Sequence, residues 1–193
     1  MVVLRRMMCW ATWRTVERYR RWFQNRNHVF RHSGPYEAVA DGAVRFVRYA
    51  EHRAVPAEVL AVIKRHGGER ALGKDRAEMQ CGAALWVAFI GDEVAGTSMS
   101  RRGRDFRSWF VPLADEDIVI FRNRTYPEHR GKGVCPRMMR HIMHTELAEG
   151  GMAYVDCRVY NKPSIRSIEK AGFELMATMK PITREAALGQ RAG

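Results

Sequence analysis

The sequence predicts an α/β domain in which a mixed, mostly antiparallel sheet is flanked by helices. Three observations support this prediction. A glycine-containing turn separates two apolar runs, residues 84–90 and 94–100, as in a β-hairpin. The apolar residues within 117–125 are typical of a buried strand, and a glycine-rich loop and a helix follow it. Residues 154–179 then indicate a strand, a short helix and a final strand.

Three further elements are predicted between these segments. Apolar residues within 44–47 suggest a strand. Pro56 suits the start of a helix, which the glycines at 67–68 are expected to end. Pro136 suits the first turn of a second helix, which we expect to end at the glycine pair 150–151. Strands and helices therefore alternate through most of the chain.

Composition divides the chain into a main domain and two flanking segments. Residues 1–42 are predicted to form an N-terminal helical extension and loop, residues 43–180 the main domain, and residues 181–193 a C-terminal tail. Aromatic residues alternate with arginines at helical spacing over residues 4–23, which predicts a basic amphipathic helix. Such a helix can lie on an anionic membrane or a partner, but we favour packing on the protein's own core. The polar residues 24–42 predict a connecting loop and turn.

The charge and the cysteines limit the class of protein. The 193 residues carry a formal net charge of +12, which attracts phosphates, nucleic acid, acidic carrier proteins or anionic lipid. No apolar run is long enough for a signal peptide or a transmembrane helix. The cysteines lack the spacing of a zinc site, so we expect no metal and reduced thiols in a cytoplasmic protein. They are Cys9, Cys81, Cys135 and Cys157.

The loop Arg130-Gly131-Lys132-Gly133-Val134-Cys135 is the strongest functional signal. Its glycines allow a sharp turn that brings backbone N–H groups close to a phosphate, and the next helix points its positive end at the same place. Arg130 and Lys132 add full positive charges. The spacing matches neither a P-loop nor a dinucleotide-binding turn. The loop is therefore predicted to bind a polyanion such as a diphosphate.

Two motifs resemble those of the GNAT superfamily of acyl-CoA N-acyltransferases. Pro127-Glu128-His129-Arg130-Gly131-Lys132-Gly133 is similar to the family's Q/R-x-x-G-x-G/A run, which joins the fourth strand to the third helix. Asn161-Lys162-Pro163-Ser164, followed by Glu169-Lys170-Ala171-Gly172-Phe173, resembles its second conserved block. The predicted order of elements over residues 43–180 also agrees with the family's order. Residues 1–42 lie outside the resemblance.

The resemblance implies an enzyme that transfers an acetyl or other acyl group from acyl-CoA to a primary amine by direct attack. Acetyl-CoA or another acyl-CoA would be the cosubstrate, and its pyrophosphate would lie on residues 130–135. The family's fourth and fifth strands splay apart to receive pantetheine. Arg124 and Thr125 would offer backbone contacts there, and Asn161 and Ser164 would lie at its far end.

Proton transfer is harder to assign, because Ile168 occupies the position where many relatives carry a Tyr that protonates the leaving thiolate. Water or another hydroxyl could replace it, and Tyr160, Tyr154 and Ser164 are the candidates. Glu116 and Asp117 are candidate bases before the central strand. We select Glu116 and Tyr160 as the catalytic pair. Cys135 has an alternative interpretation as a nucleophile at a helix N-terminus, although no His is placed as its base.

The acceptor and the partners stay open at this point. Amino sugars, small amines and protein amines are all compatible with the sequence. The resemblance implies that the variable N-terminal half and loops, including residues 101–112, contact the acceptor. One alternative is an acidic acyl carrier protein as the acyl donor. Another is a non-catalytic module that senses CoA or binds nucleic acid, although no RNA-binding aromatic motif supports the latter. The oligomeric state is not predicted, and a dimer is compatible with the sequence.

Overall fold

The computed structural model describes residues 25–33, 42, 44–106 and 109–180. These residues form seven strands and three α-helices. The strands are β1 (Asn27–Ser33), β2 (Arg45–Tyr49), β3 (Ala84–Ile90), β4 (Glu93–Arg102), β5 (Ile118–Thr125), β6 (Met152–Arg158) and β7 (Glu174–Met179). The helices are α1 (Ala57–Gln80), α2 (Val134–Glu146) and α3 (Lys162–Lys170).

All seven strands belong to one sheet in the order β2-β3-β4-β5-β6-β1-β7. Every neighbouring pair is antiparallel except β5 and β6, which are parallel and joined through α2. The predicted hairpin is present as β3 and β4, which pair from Ala84 opposite Ser100 to Ile90 opposite Glu93. The mixed, mostly antiparallel sheet predicted from the sequence is therefore confirmed.

Helices cover both faces of the sheet. On one face Val59, Ile63 and Met79 of α1 pack with buried side chains of β3 and β4. On the other face, buried side chains of α2 and α3 pack against β5 and β6. Burial of these apolar surfaces is the main stabilising contribution to such a layered domain. Among the described helices, none combines the length and apolar character that a membrane span requires.

The strand β1 is a correction to the sequence prediction, which assigned residues 24–42 to a loop and turn. Residues 27–33 instead form a strand between β6 and β7, with antiparallel partners on both sides. The strand was missed because only Val29 and Phe30 are apolar, and they are adjacent rather than alternating. Both are at most 1% exposed, as expected for a strand inside a sheet with both faces covered.

Two helix ends also differ from the prediction. The helix that starts after Pro56 does not end at residues 67–68. It kinks at Gly68, where φ is +68°, and continues to Gln80. Glycine tolerates this backbone conformation, and the buried side chains of Asp75 and Met79 hold the second segment against the sheet. α2 ends at Glu146, before the glycine pair that was expected to end it.

Other predicted segments lie outside the described residues. They are the basic amphipathic helix over residues 4–23 and the C-terminal tail over residues 181–193.

Candidate active site

The glycine loop between β5 and α2 has the backbone conformation that the sequence predicts. Gly131 and Gly133 have φ values of +80° and +72°, which other residues rarely adopt. Gly133 is the N-cap residue of α2, and no side chain caps the helix. The N–H groups of the first turn therefore lie beside the positive end of the helix dipole and suit an anion.

A cleft of about 840 Å³ extends from this loop into the sheet. Its walls come from the loop, the end of β5, the end of β6 and the start of α3. β5 and β6 pair only from Ile118–Ile120 to Ala153–Val155. Beyond these residues the two parallel strands separate, and the cleft lies between them. A ligand of several hundred cubic ångströms can bind in a volume of this size.

A bulge in β5 lies at the point where the strands separate. Between Thr97 opposite Arg124 and Met99 opposite Phe121, two residues of β5 face Ser98 alone, which is the pattern of a β-bulge. Arg122 within the bulge has φ of +55°. The Ser98 hydroxyl donates to the side-chain oxygen of Asn123 at 2.6 Å. The bulge thus brings Arg122 and Asn123 to the cleft wall.

A buried ion pair holds this bulge against α1. Asp75, which is 2% exposed, accepts a hydrogen bond from Arg122 Nε at 2.6 Å. It also accepts two hydrogen bonds from Arg124, at 2.7 and 2.8 Å. Two parallel hydrogen bonds between an arginine and a carboxylate fix the relative orientation of the two side chains. The shape of β5 beside the cleft therefore depends on a side chain of the second segment of α1.

Asp156 and Asn27 lie at the cleft end that is formed by β6 and β1. The Asn27 amide donates a hydrogen bond to the Asp156 carboxylate across the two strands. Burial raises the pKa of Asp156, and the Asn27 hydrogen bond and the charge of Arg158 oppose this shift. Asn27 is 8% exposed, and none of the described residues donates a hydrogen bond to its side-chain oxygen. A carboxylate and an amide oxygen thus meet at one place.

Residues 58–173 match the model of the acetyltransferase (GNAT) family. This match includes the glycine loop, the cleft walls from β5 and β6, and α3. The chain belongs to the GNAT acetyltransferase family. Membership implies acyl transfer as the general class of reaction. None of the curated proteins that were compared with the chain matches it.

Solved structures share the GNAT fold at low sequence identity. An acetyltransferase of the GNAT family from Colwellia psychrerythraea has a TM-score of 0.57 at 12% identity, over 79% of this chain and 53% of that one. A GNAT-family protein from Novosphingobium aromaticivorans has a TM-score of 0.54 at 17% identity, over 82% of this chain and 66% of that one. A tandem GNAT protein of the clavulanic acid biosynthesis pathway has a TM-score of 0.52 at 16% identity, over 81% of this chain and 53% of that one. The chain therefore spans between about half and two-thirds of their length.

The structure brings most of the residues predicted to bind acyl-CoA to one cleft. Thr125, Arg130, Gly131, Gly133, Val134, Cys135, Asn161 and Ser164 all line it. Lys132 is exposed beside them. The Arg124 side chain points to Asp75 instead, so a contact from this residue to a ligand would use its backbone. The Asn161 side-chain oxygen accepts from the Ser164 amide at 3.3 Å and caps α3.

The candidate general acids are dispersed. Ile168, at the family's Tyr position, is 2% exposed and packs in the core beside the cleft. Tyr160 follows β6 and is 59% exposed, and Tyr154 packs against Trp109 with 5.3 Å between ring centroids. Ser164 is the only one of the three proposed hydroxyls that lines the cleft. None of the described residues that line the cleft is a tyrosine.

The structure does not bring the predicted base Glu116 to the cleft. Glu116 is exposed and precedes the first residue of β5, whereas the cleft lies at the other end of this strand. Seven residue steps along a strand correspond to ~23 Å. The alternative base, Asp117, is 5% exposed and accepts hydrogen bonds from the amides of Ala114 and Met152 at 2.8 and 2.9 Å. Its carboxylate therefore joins a loop to β6.

Cys135 does not have the properties of a nucleophile. Burial raises the pKa of its thiol to about 11, and a hydrogen bond to Ser167 only partly opposes this effect. The thiol pKa is thus raised by desolvation, whereas the sequence analysis considered only the helix N-terminus, which lowers a thiol pKa. Among the described residues, no group of three or more His, Cys, Asp or Glu side chains could hold a metal ion.

Two site residues, Asn27 and Asp156, were missed by the sequence analysis. Asp156 is a charged residue in a strand whose neighbours Val155 and Cys157 are buried, and this contrast was the available signal. Asn27 gave no signal, because the segment around it was assigned to a loop.

Proposed function

We propose that the protein transfers an acyl group from acyl-CoA to a primary amine by direct attack. The observation that carries this proposal is the cleft between β5 and β6, whose lining includes both the glycine loop and Asp156. The loop has the N–H groups and positive charges that a pyrophosphate needs. The carboxylate can accept a proton from an amine that approaches the thioester.

Each part of the cleft has a separate task in this mechanism. The loop from Arg130 to Cys135 and the start of α2 would hold the pyrophosphate. Thr125, Asn161 and Ser164 would contact the pantetheine arm between the separated strands. Because these contacts fix the thioester relative to Asp156, the reaction of the two substrates becomes effectively intramolecular.

Asp156 is the residue that we assign as the base. Its raised pKa brings the carboxylate closer to the range in which it can take a proton from an ammonium group. The freed amine then attacks the carbonyl carbon, so that an N–C bond forms and the C–S bond breaks. The nitrogen of the adduct loses its second proton to water, and the thiolate leaves and takes a proton from water, which suffices because a thiol pKa lies near 8.5.

The test is to incubate the protein with acetyl-CoA and a panel of amines and to follow free thiol release. The panel contains phenethylamine, spermidine, glucosamine and an alanyl peptide. Gly133→Glu is expected to abolish acetyl-CoA binding, because it adds bulk and negative charge at the pyrophosphate loop. Asp156→Asn is expected to bind acetyl-CoA normally but to lower kcat by ~10²–10⁴-fold, the usual contribution of a general base.

Two outcomes would contradict the proposal. Tight CoA binding by the wild type without thiol release in the presence of any amine would refute the proposed acyl transfer. Normal CoA binding by Gly133→Glu would show that the glycine loop does not hold the pyrophosphate.

A second donor is supported by the exposed surface of α3. Lys162, Arg166 and Lys170 are exposed and recur every four residues, so they share one face of the helix beside the cleft. An acidic acyl carrier protein is complementary to such a row. Turnover with an acyl carrier protein thioester but not with acetyl-CoA would favour this donor.

A further inference from the structure

The cleft end formed by β1 and β6 has an unusual surplus of hydrogen-bond acceptors. The ionised Asp156 carboxylate has only hydrogen-bond acceptors, and it accepts one hydrogen bond from the Asn27 amide nitrogen. The Asn27 oxygen is buried beside it, and none of the described residues donates a hydrogen bond to it. Buried polar atoms normally have a partner. A missing donor at this position therefore points to a ligand that brings one.

We propose that Asn27 and Asp156 together bind the ammonium group of the acceptor, and that Asn27 favours acceptors with at least two N–H donors over tertiary amines and alcohols. This inference rests on the proposed function and adds the residue that recognises the acceptor. One N–H of the ammonium group would donate a hydrogen bond to the Asn27 oxygen, and a second N–H would donate one to the Asp156 carboxylate.

The sheet register fixes the two side chains on one face. Asn27 lies opposite Arg158, and Val29 lies opposite Asp156. Directly opposed residues of antiparallel strands share a face, so Asn27 and Asp156 are diagonal neighbours on it. The hydrogen bond between them uses the nitrogen of the Asn27 amide, which directs the oxygen of the same group to a different neighbour. Asn27 is thus both a ligand of the acceptor and a positioning residue for Asp156.

The hydrogen-bonding pattern disfavours acceptors with a single donor. A protonated primary amine has three N–H donors and a protonated secondary amine has two, whereas a protonated tertiary amine has one. A tertiary amine therefore leaves one of the two protein acceptors unpaired, which is costly at Asn27 because this residue is only 8% exposed. An alcohol has a single donor and gives the same deficit.

The source of Asn27 within the chain is also informative. Residues 58–173 match the GNAT family, and β1 precedes them. The strand nevertheless lies between β6 and β7 and contributes a side chain to the cleft. Acceptor recognition in this chain would therefore depend on a segment outside the family match.

The experiment measures equilibrium binding of each amine in the panel to the full chain saturated with CoA, which cannot react. Asn27→Ala is expected to weaken binding of the preferred amine by ~10-fold or more, as for loss of a hydrogen bond to a charged group. Added acetamide has the chemical groups of the missing side chain and is expected to restore the affinity. In turnover, the KM for the amine should rise while the KM for acetyl-CoA stays within twofold of the wild type.

His28→Ala is the matched control. His28 is the next residue of β1, and its ring hydrogen-bonds to the Thr178 hydroxyl at 2.8 Å, away from Asp156. This variant should bind the amine as the wild type does, so a shared loss of affinity in both variants would indicate a damaged strand and overturn the assignment of Asn27.

The outcomes separate this inference from the proposed function. Unchanged amine affinity in Asn27→Ala, or no binding of any panel amine to the wild type, would overturn the ammonium site. Amine binding that depends on Asn27, without thiol release from acetyl-CoA, would instead leave the ammonium site in place and refute acyl transfer.

Discussion

Removal of the Asp75 carboxylate should destabilise the domain and deform the cleft from a distance. Asp75 is 2% exposed, and the side chains of Arg122 and Arg124 are 20% and 24% exposed. Asp75→Ala would leave two neighbouring guanidinium groups without their counter-charge. Breaking a buried ion pair costs roughly 3–5 kcal/mol. Because both arginines keep some contact with water, we expect the lower end of that range, ~3 kcal/mol.

The assay is denaturant unfolding of Asp75→Ala, followed by tryptophan fluorescence. Glu69→Ala is the matched control on the same helix, because Glu69 pairs with Lys64 at the surface, where the side chains are 71% and 57% exposed. Such an exposed pair should contribute less than ~1 kcal/mol.

The same substitution should also weaken acyl-CoA binding, because Asp75 holds the bulge at which β5 leaves β6. Asp75→Asn keeps the size of the side chain and one acceptor oxygen, so it should remain folded if Asp75→Ala does not. Acyl-CoA binding by this variant therefore tests the link to the cleft. A loss of stability in Asp75→Ala no larger than that in Glu69→Ala would refute the reasoning, as would unchanged acyl-CoA affinity in Asp75→Asn.

Three further predictions follow from the site and the sheet. The folded pKa of Asp156 is raised above its ordinary value of 3.8, so its favourable contribution to stability is complete below that value and is lost as pH rises through the folded pKa. Asp156→Asn should therefore melt no lower than the wild type at pH 7, and a lower Tm there would contradict the assignment. Because burial raises the thiol pKa of Cys135 to about 11, this residue should resist iodoacetamide at pH 7.5, whereas the exposed Cys81 should react. Peptide mass spectrometry measures both modifications. The Cys135→Ala variant should retain acyl transfer. A chain that starts at residue 44 retains the family match but lacks β1. Its thermal unfolding, followed by circular dichroism, should no longer be cooperative. Cooperative unfolding together with normal CoA affinity would contradict the structural role of this strand.

The sequence predicted the parts of the fold whose patterns are local. The hairpin β3–β4 follows from a glycine turn between two apolar runs, and the turn before α2 follows from Gly131 and Gly133, where positive φ excludes most side chains. Each of these signals lies within a few residues of the structure that it determines. The glycines at 67–68 were predicted to end the helix, whereas it kinks there and resumes, because Asp75 and its arginine partners, which are distant in sequence, hold the second segment.

The part of the cleft that contains Asn27 and Asp156 was not predictable in this way, because it is built by pairing between distant strands. Asn27 and Asp156 are separated by 129 positions, and nothing near Asn27 marks it as part of a sheet. Glu116 was selected as the base because it is acidic and close to the central strand in sequence, but a strand has two ends and the cleft occupies the other one.

The placement of β1 links the two unpredicted features of this protein. β6 leaves β5 after Val155, and an isolated strand end would expose unpaired backbone groups. β1 pairs with β6 through Arg158 and so holds the separated end of this strand in the sheet. The same strand that keeps the cleft open thereby brings Asn27 to Asp156. If Asn27 recognises the acceptor, the structural requirement for β1 and the choice of substrate are coupled, and changes in this N-terminal strand would alter specificity without changes in the acyl-CoA loop.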